Sequence, residues 1–342
     1  MVELKEKYAD TIYEGFYDKI YHPELKIKFL EDNYSDDGTR KVILYIFVKS
    51  AIVERMHNKD LCVFNSEEIL DLAKRLDYTS LNSLQVAFSY FTVYVDWCIM
   101  NELRGNYNEI NDVEIFVQTQ DLSQFLSKLK IRNMYLTEEE LQDLVNSLVN
   151  FQDKFYIQAI YEGIDGKEMY ELRSLTLNDI DMNKNTVALT NLDGSVRIKN
   201  ISGELKSMSL FANEEKFYVA NNGMPSPSRR IFKPKKLADT KYILRPVHGV
   251  GMEYDDIMKL GTAYQKIVKI RDYIDYPFVS INSIRSSGMI NRVTQLTKEK
   301  GLTEPTAEIF NTLKLPEEYN LSVNSVYKLI DKYKLVKSLK TS

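Results

Sequence analysis

The segment with the least conformational choice is residues 86–103, VAFSYFTVYVDWCIMNEL, which at helical spacing is apolar on nearly every side. A helix of that kind needs packed neighbours all round it, so this part of the chain must build a helical bundle. Trp97 and the aromatic residues beside it read as core of that bundle. Breakers are scarce along the whole sequence, with 13 Gly and 8 Pro against 23 Tyr, which favours a helix-rich fold. At 342 residues the chain is long enough for two or three domains.

Local signals place the other elements. Residues 24–31 and 41–56 carry apolar side chains three and four apart, broken at His22-Pro23 and again at 34–39. Asn65 or Ser66 caps a helix opening NSEEILDLAKRL, where Glu67 and Glu68 complement the dipole, and Ser80 or Asn82 opens the apolar helix that follows. Residues 105–135 read as a mixed connecting region. Thr137 and Glu140 form a capping box for LTEEELQDLVNSLV, and a further helix runs to Tyr161. Two β-like runs, 174–188 and 195–201, flank the turn at Asp193-Gly194. Helical spacing returns from about residue 254.

Cys62 and Cys98 stand apart from any CxxC or Cys/His cluster, so neither a metal site nor a disulfide framework is expected, and no cofactor motif occurs. The charged N-terminus lacks the apolar core of a signal peptide, which points to the cytoplasm. Net charge is -4, unfavourable for phosphate binding unless cations cluster. They do cluster: residues 225–245 carry Arg229, Arg230, Lys233, Lys235, Lys236, Lys241 and Arg245 against one acid, Asp239, and the tail from Lys328 repeats the bias. Such a run suits phosphate contact or a solvated face equally well.

The succession of capped helix, apolar helix, EGIDGKEMYELRSLTLNDIDMNKNTVAL and basic hairpin resembles the start of a tyrosine recombinase (phage integrase) catalytic domain. Gly163 stands for the family's turn glycine, Glu168 to Leu172 for the next helix, and Asp179 to Asp181 for its DID segment. INSIRSSGMINRV, residues 281–293, resembles the family's His-x-x-Arg-His segment, and the 59–104 region resembles its helical core-binding domain. The resemblance implies a mainly α fold with a small β-sheet, arranged as a two-lobed clamp. Its expected parts are an N-terminal helical extension (1–58), a core-binding domain (59–130) and a catalytic-like domain (131–342).

Cleavage by a tyrosine needs two Arg on the non-bridging oxygens, His and Lys for proton transfer, and a Tyr in line. By the resemblance, Asp165 occupies the first Arg position, where its charge repels phosphate. Asn282 occupies the first His position and cannot shuttle a proton at neutral pH. The hairpin Lys position falls near Leu192 to Gly194, with Lys199 farther along, and Tyr327, then Tyr333, are nearest to the nucleophile position. Arg285 matches the second Arg; it suits a forked phosphate contact or a structural pairing with a carboxylate.

The resemblance therefore implies a double-stranded DNA-binding protein that has lost strand cleavage, similar to the integrase-like lysogeny repressors of SPbeta-type prophages, with a dimer on repeated sites as one arrangement. Arg285, Arg229, Arg230, Lys233, Lys235 and Lys236 are the first candidates for phosphate contact, and Arg197 and Lys199 the second. Two other readings stand beside it: an active recombinase with divergent motifs, and a helical protein-interaction module. LSVNSVYKLIDKYK also has the look of a recognition helix, but no clear first helix precedes it.

Overall fold

The computed structural model describes residues 8–105, 109–224, 233–248, 257–274, 276–311, 318–320 and 323–340. The chain forms two compact units, residues 1–128 and 129–342.

The first unit is helical. It contains α1 (Pro23–Asn33), α2 (Asp37–His57), α3 (Ser66–Arg75), α4 (Leu81–Met100) and α5 (Asp112–Thr119), with a single 3-10 turn at Leu61–Val63 between α2 and α3. Pro23 opens α1, where its missing N–H costs nothing. Asp36 caps α2 by accepting from Thr39 N at 2.6 Å, and Asn65 and Glu68 cap α3 reciprocally. As its composition requires, α4 runs through the centre: Tyr94 and Phe91 are fully buried, and Phe29 packs edge-on to both Tyr94 and Trp97.

The division expected at residue 58 has no structural counterpart, because helices on both sides of it share one core. Lys26, on α1, is wholly buried and donates to Glu54 of α2, to the Tyr21 carbonyl at 2.8 Å and to Asp60 at 3.4 Å. Tyr94 of α4 donates to the other Asp60 oxygen at 2.9 Å. Burial opposes the charge on Lys26, but Glu54 and Asp60 outweigh it and hold the ammonium above its ordinary range. Burial likewise opposes ionisation of Asp60, and Lys26, His22 and the Cys62 N–H overcome it and keep its carboxyl low. The expected connecting region is also more ordered than its sequence suggests, since it holds α5, a 3-10 turn at Leu122–Phe125 and α6 (Lys128–Met134). Asn111 caps α5 while its amide donates to Asp96 and to the Thr92 carbonyl, which fastens the segment to α4.

In the second unit, α7 (Glu138–Ser147), with the Thr137–Glu140 capping box, leads to α8 (Phe151–Tyr161), whose Phe155, Tyr156, Ile157 and Ile160 are fully buried. After α9 (Tyr170–Ser174) comes an antiparallel sheet in the order β1 (Ile180–Asp181), β2 (Thr186–Thr190), β3 (Val196–Asn200). Its hairpin turns at Gly194, φ 84°, and its register sets Leu189 opposite Arg197 and Val187 opposite Lys199. The run 174–188 is only partly strand. Asp179 takes both the N–H and the hydroxyl of Thr176, and Asp181 takes the N–H groups of Asn183 and Lys184, so side chains compete with the ladder and bend the backbone into turns. Then follow α10 (Gly203–Glu214), the short pair β4 (Phe217–Tyr218) and β5 (Lys235–Lys236), α11 (Leu260–Arg271), α12 (Ile281–Glu299), α13 (Ala307–Asn311) and α14 (Val323–Lys340).

Removing one partner of a buried ion pair strands the other. Lys26→Met should therefore destabilise the first unit by about 3 to 5 kcal/mol, read in urea by the fluorescence of Trp97, the single tryptophan. Unchanged unfolding would refute the network's role. His22 Nδ1 lies 3.3 Å from Asp60, and that hydrogen bond raises its pKa. Its contribution is thus complete below the ordinary imidazole range and lost as pH rises through the raised value. His22→Gln should flatten this part of the stability profile, and a profile identical to that of the unaltered chain would exclude the linkage.

Candidate functional site

The site is built where α8 ends. Gly163, φ 82°, closes the helix, with its N–H on the Ile160 carbonyl at 3.0 Å and that of Ile164 on Ala159 at 2.8 Å. A Cβ on Gly163 would also lie 2.4 Å from Tyr319 Cδ1, so glycine is required twice over. The turn delivers Asp165 to a buried position, where it accepts from Gly166 N at 3.0 Å and faces Arg285 Nε at 3.5 Å. Burial pushes the Asp165 carboxyl up, against the pull of Arg285 and the Gly166 N–H.

Arg285 and Asn282 lie in the first turns of α12, which Ser280 and Ser283 cap reciprocally. Asn282 is exposed. Arg285 is 23% exposed, is paired with Asp165 and donates through Nη2 to the Tyr319 carbonyl. Its Nε makes the ion pair without a well-aligned hydrogen bond.

Arg197 is likewise committed within the fold. It grips the buried Glu171 with two hydrogen bonds of 2.7 Å and donates to the carbonyls of Gly163, at 2.8 Å, and Glu318, at 3.0 Å. Lys199 is buried, with Nζ 5.1 Å from the centre of the Tyr319 ring. Burial lowers its pKa, while Glu318 and Glu162 pull the other way. Arg292, on α12, reaches the Glu318 carboxylate at 3.3 Å. These four cations, Arg197, Lys199, Arg285 and Arg292, thus converge on the short segment Glu318-Tyr319-Asn320.

Tyr319 is the residue that sequence reasoning missed. It is buried, its hydroxyl donates to the Tyr161 carbonyl at 3.3 Å, and burial raises its pKa well above that of a free phenol. No periodic pattern marks it, and only the fold brings it between Gly163 and Gly288. Tyr327, singled out by resemblance, is 61% exposed on α14, and Tyr333 is buried edge-on to Phe310. Lys332, also on α14, donates to Ser286 beside Arg285, and burial followed by Arg285 lowers its pKa.

The basic run 225–245 divides. Lys233, Lys235 and Lys236 are exposed, the last two on β5 opposite Tyr218 and Phe217. Arg229 and Arg230 lie outside the described residues. Arg245 is not surface charge at all: it is buried and donates to the carbonyls of Ala212 and Asn213 at 2.9 and 3.0 Å. Among the described residues no hydrogen bond or ion pair links β5 to Arg285, and no group of three or more His, Cys, Asp or Glu is placed to hold a metal.

A helical unit is thus followed by a unit in which a β-hairpin stands between helices, and the second unit carries Asp165, Arg197, Lys199 and Arg285. The chain matches the family described as MrpR, N-terminal core-binding domain, over residues 20–101, and MrpR, C-terminal catalytic domain, over residues 135–338. It belongs to the MrpR family. The match at the N-terminus begins within the segment expected to be an extension. Among curated proteins the chain is 26% identical over 332 residues to the SPbeta prophage-derived uncharacterized protein YopR of Bacillus subtilis (strain 168), covering 96% of this chain and 90% of that one. Among solved structures it resembles the Tn1549 transposon integrase in complex with circular intermediate DNA (13% identity, TM-score 0.37, 90% of this chain and 94% of that one). It also resembles XerA recombinase (11% identity, TM-score 0.35, 91% and 97%).

The site's geometry depends on Gly288, where a Cβ would lie 1.8 Å from the Tyr161 carbonyl oxygen, a backbone atom that cannot turn aside. Gly288→Ala should cost the second unit about 1 to 3 kcal/mol or more through overpacking. The loss should appear as a lowered melting transition in circular dichroism while the Trp97 signal is unmoved. Equal melting would show that the helices separate freely.

Proposed function

We propose that this protein binds double-stranded DNA sequence-specifically without cutting it and acts in the bacterial cytoplasm as a prophage transcriptional repressor that keeps lytic genes silent. The observation that carries the reading is the ion pair between the buried Asp165 and the partly exposed Arg285. In a strand-cleaving site two guanidinium groups grip one phosphate and stabilise its charge in the transition state. Here the first position holds a carboxylate, and the guanidinium at the second is committed to that carboxylate and to the Tyr319 carbonyl. The phenol nearest these cations, Tyr319, is buried and held protonated, which makes it a poor nucleophile.

Loss of cleavage leaves recognition intact in principle, since phosphate contacts fix register and groove contacts read bases. With Arg285, Arg197 and Lys199 committed internally, phosphate binding falls to exposed cations, first of all Lys233, Lys235 and Lys236 with Lys241 nearby. The prophage origin of YopR, which has no assigned role, supports the regulatory part of the reading. A dimer on repeated sites is consistent with it.

The test begins with fragments recovered by mapping bound sites in the host genome, used in gel shifts across a salt series. Replacing Lys233, Lys235 and Lys236 with Ala should weaken binding at every sequence and reduce the salt slope by about 0.9 for each phosphate that is no longer neutralised. Arg285→Ala should lower stability and leave the affinity of the folded protein unchanged. On a nicked target no covalent protein–DNA adduct should form. An adduct abolished by Tyr327→Phe would establish an active recombinase instead, and absence of any enriched site would remove the DNA reading altogether.

A further inference from the structure

Helix α2 buries one face, with Ile43, Leu44, Phe47 and Ala51 in the core, yet its outward face is also apolar. Val42, Tyr45, Ile52 and Met56 are 51%, 64%, 60% and 56% exposed, and Lys49 completes the series. The spacing 42, 45, 49, 52, 56 alternates three and four residues, which is the seam that one helix presents to another. A single exposed apolar residue needs no explanation, but a continuous stripe at this period does. Phe16 lengthens the stripe by packing edge-on to Tyr45 at 4.8 Å.

Beyond the Arg40–Asp37 pair in the first turn of α2, the charges along this face have one sign. From residue 41 to the end of the stripe the exposed charged residues of α2 are Lys41, Lys49 and Arg55, while Glu54 is buried within the core. Lys49 Nζ sits 3.5 Å from the centre of the Tyr78 ring and Lys19 Nζ lies over Phe16, so two cations are set against aromatic faces at the stripe.

A second copy of the chain fits badly. Any symmetric pairing that covers the whole stripe, parallel or antiparallel, places Lys49 against Lys49 of the other copy, because residue 49 is its midpoint. DNA also fits badly, since phosphate would meet apolar side chains over most of the face. An amphipathic helix with aliphatic residues on one side and carboxylates along its margin satisfies both the period and the charge.

We infer that the exposed face of α2 is a docking surface for an acidic amphipathic helix of another protein, held by Val42, Tyr45, Ile52 and Met56 and selected by Lys41 and Lys49. A partner that seats there has a handle on the protein that is separate from the Asp165–Arg285 site. The inference does not rest on the DNA reading, and its test uses no DNA.

The probe is a fluorescein-labelled helical peptide with Leu at its a and d positions and Glu flanking them, compared with its Lys-flanked counterpart by anisotropy on the full-length protein. The acidic peptide should bind and its counterpart should bind at least tenfold more weakly. Ile52→Ser should weaken the acidic peptide at least tenfold, and Lys41→Glu with Lys49→Glu should reverse the preference between the two peptides. These side chains are exposed, so the helix content and Trp97 fluorescence of each variant should match the unaltered chain, and only variants that pass count. Equal binding of both peptides, or none, would overturn the inference. So would a dimer in light scattering that Ile52→Asp converts to a monomer, since a second copy would then own the face.

Discussion

The second unit depends on how closely two helices approach. Gly288 removes the side chain that would keep α12 away from the end of α8, so the helix packs against the Tyr161 carbonyl. Asn291, one turn on, then donates to the Tyr161 hydroxyl at 2.8 Å and to the Leu136 carbonyl, while Leu136 N donates to Ser287. Each of these bonds requires the approach that Gly288 allows. The same approach fixes the distance between the turn carrying Asp165 and the helix carrying Arg285, and it leaves between them the slot that Tyr319 fills. Packing thus comes first, and the charge arrangement follows from it.

Within that geometry the electrostatics close upon themselves. Four cations converge on one region, which elsewhere would make an anion site, but three of them are committed to carboxylates or carbonyls and the fourth, Lys199, lies buried against an aromatic ring. Glu171 and Asp165 are themselves buried, so each guanidinium answers a charge that would otherwise be costly. A phosphate entering here would have to displace partners supplied by the chain itself, with no low-dielectric clamp left open for it. On the proposed reading, that self-sufficiency makes Asp165 matter more than a missing Arg would. Loss of an Arg alone would leave a weakened site, whereas a carboxylate also recruits Arg285.

What the sequence made legible was local. The caps at Asn65 and Thr137, the turn at Gly194 and the buried course of α4 depend on residues a few positions apart, and all are found where their patterns put them. The turn at Gly163 was legible through resemblance, because it is itself a local signal, and it delivers Asp165 to its buried position. Lys26 was not. A lysine in an amphipathic helix reads as surface, and its burial depends on Glu54 and Asp60 arriving from another helix and the turn beyond it. The boundary expected at residue 58 failed for the same reason, since that network crosses it. Tyr319 was hidden because the two glycines that admit it are far away in sequence, and Arg245 because a cation in a basic run looks solvated until the carbonyls of α10 surround it.

The two units handle buried charge in the same way, and this bears on how such a chain changes role. In the first, Lys26 holds two carboxylates; in the second, Arg197 and Arg285 each hold one. Such pairs add little net stability over apolar residues, but breaking one is expensive, so they tend to lock a conformation once formed. A site that must grip and release phosphate cannot be locked. On the proposed reading, then, the exchange of chemistry for rigidity is a single step: the carboxylate that ended the reaction also supplied the ion pair that fastens α12 to the turn. On the same reading, cleavage would need more than an Arg at position 165, because Arg285 would have to be freed from the Tyr319 carbonyl and the phenol exposed as well.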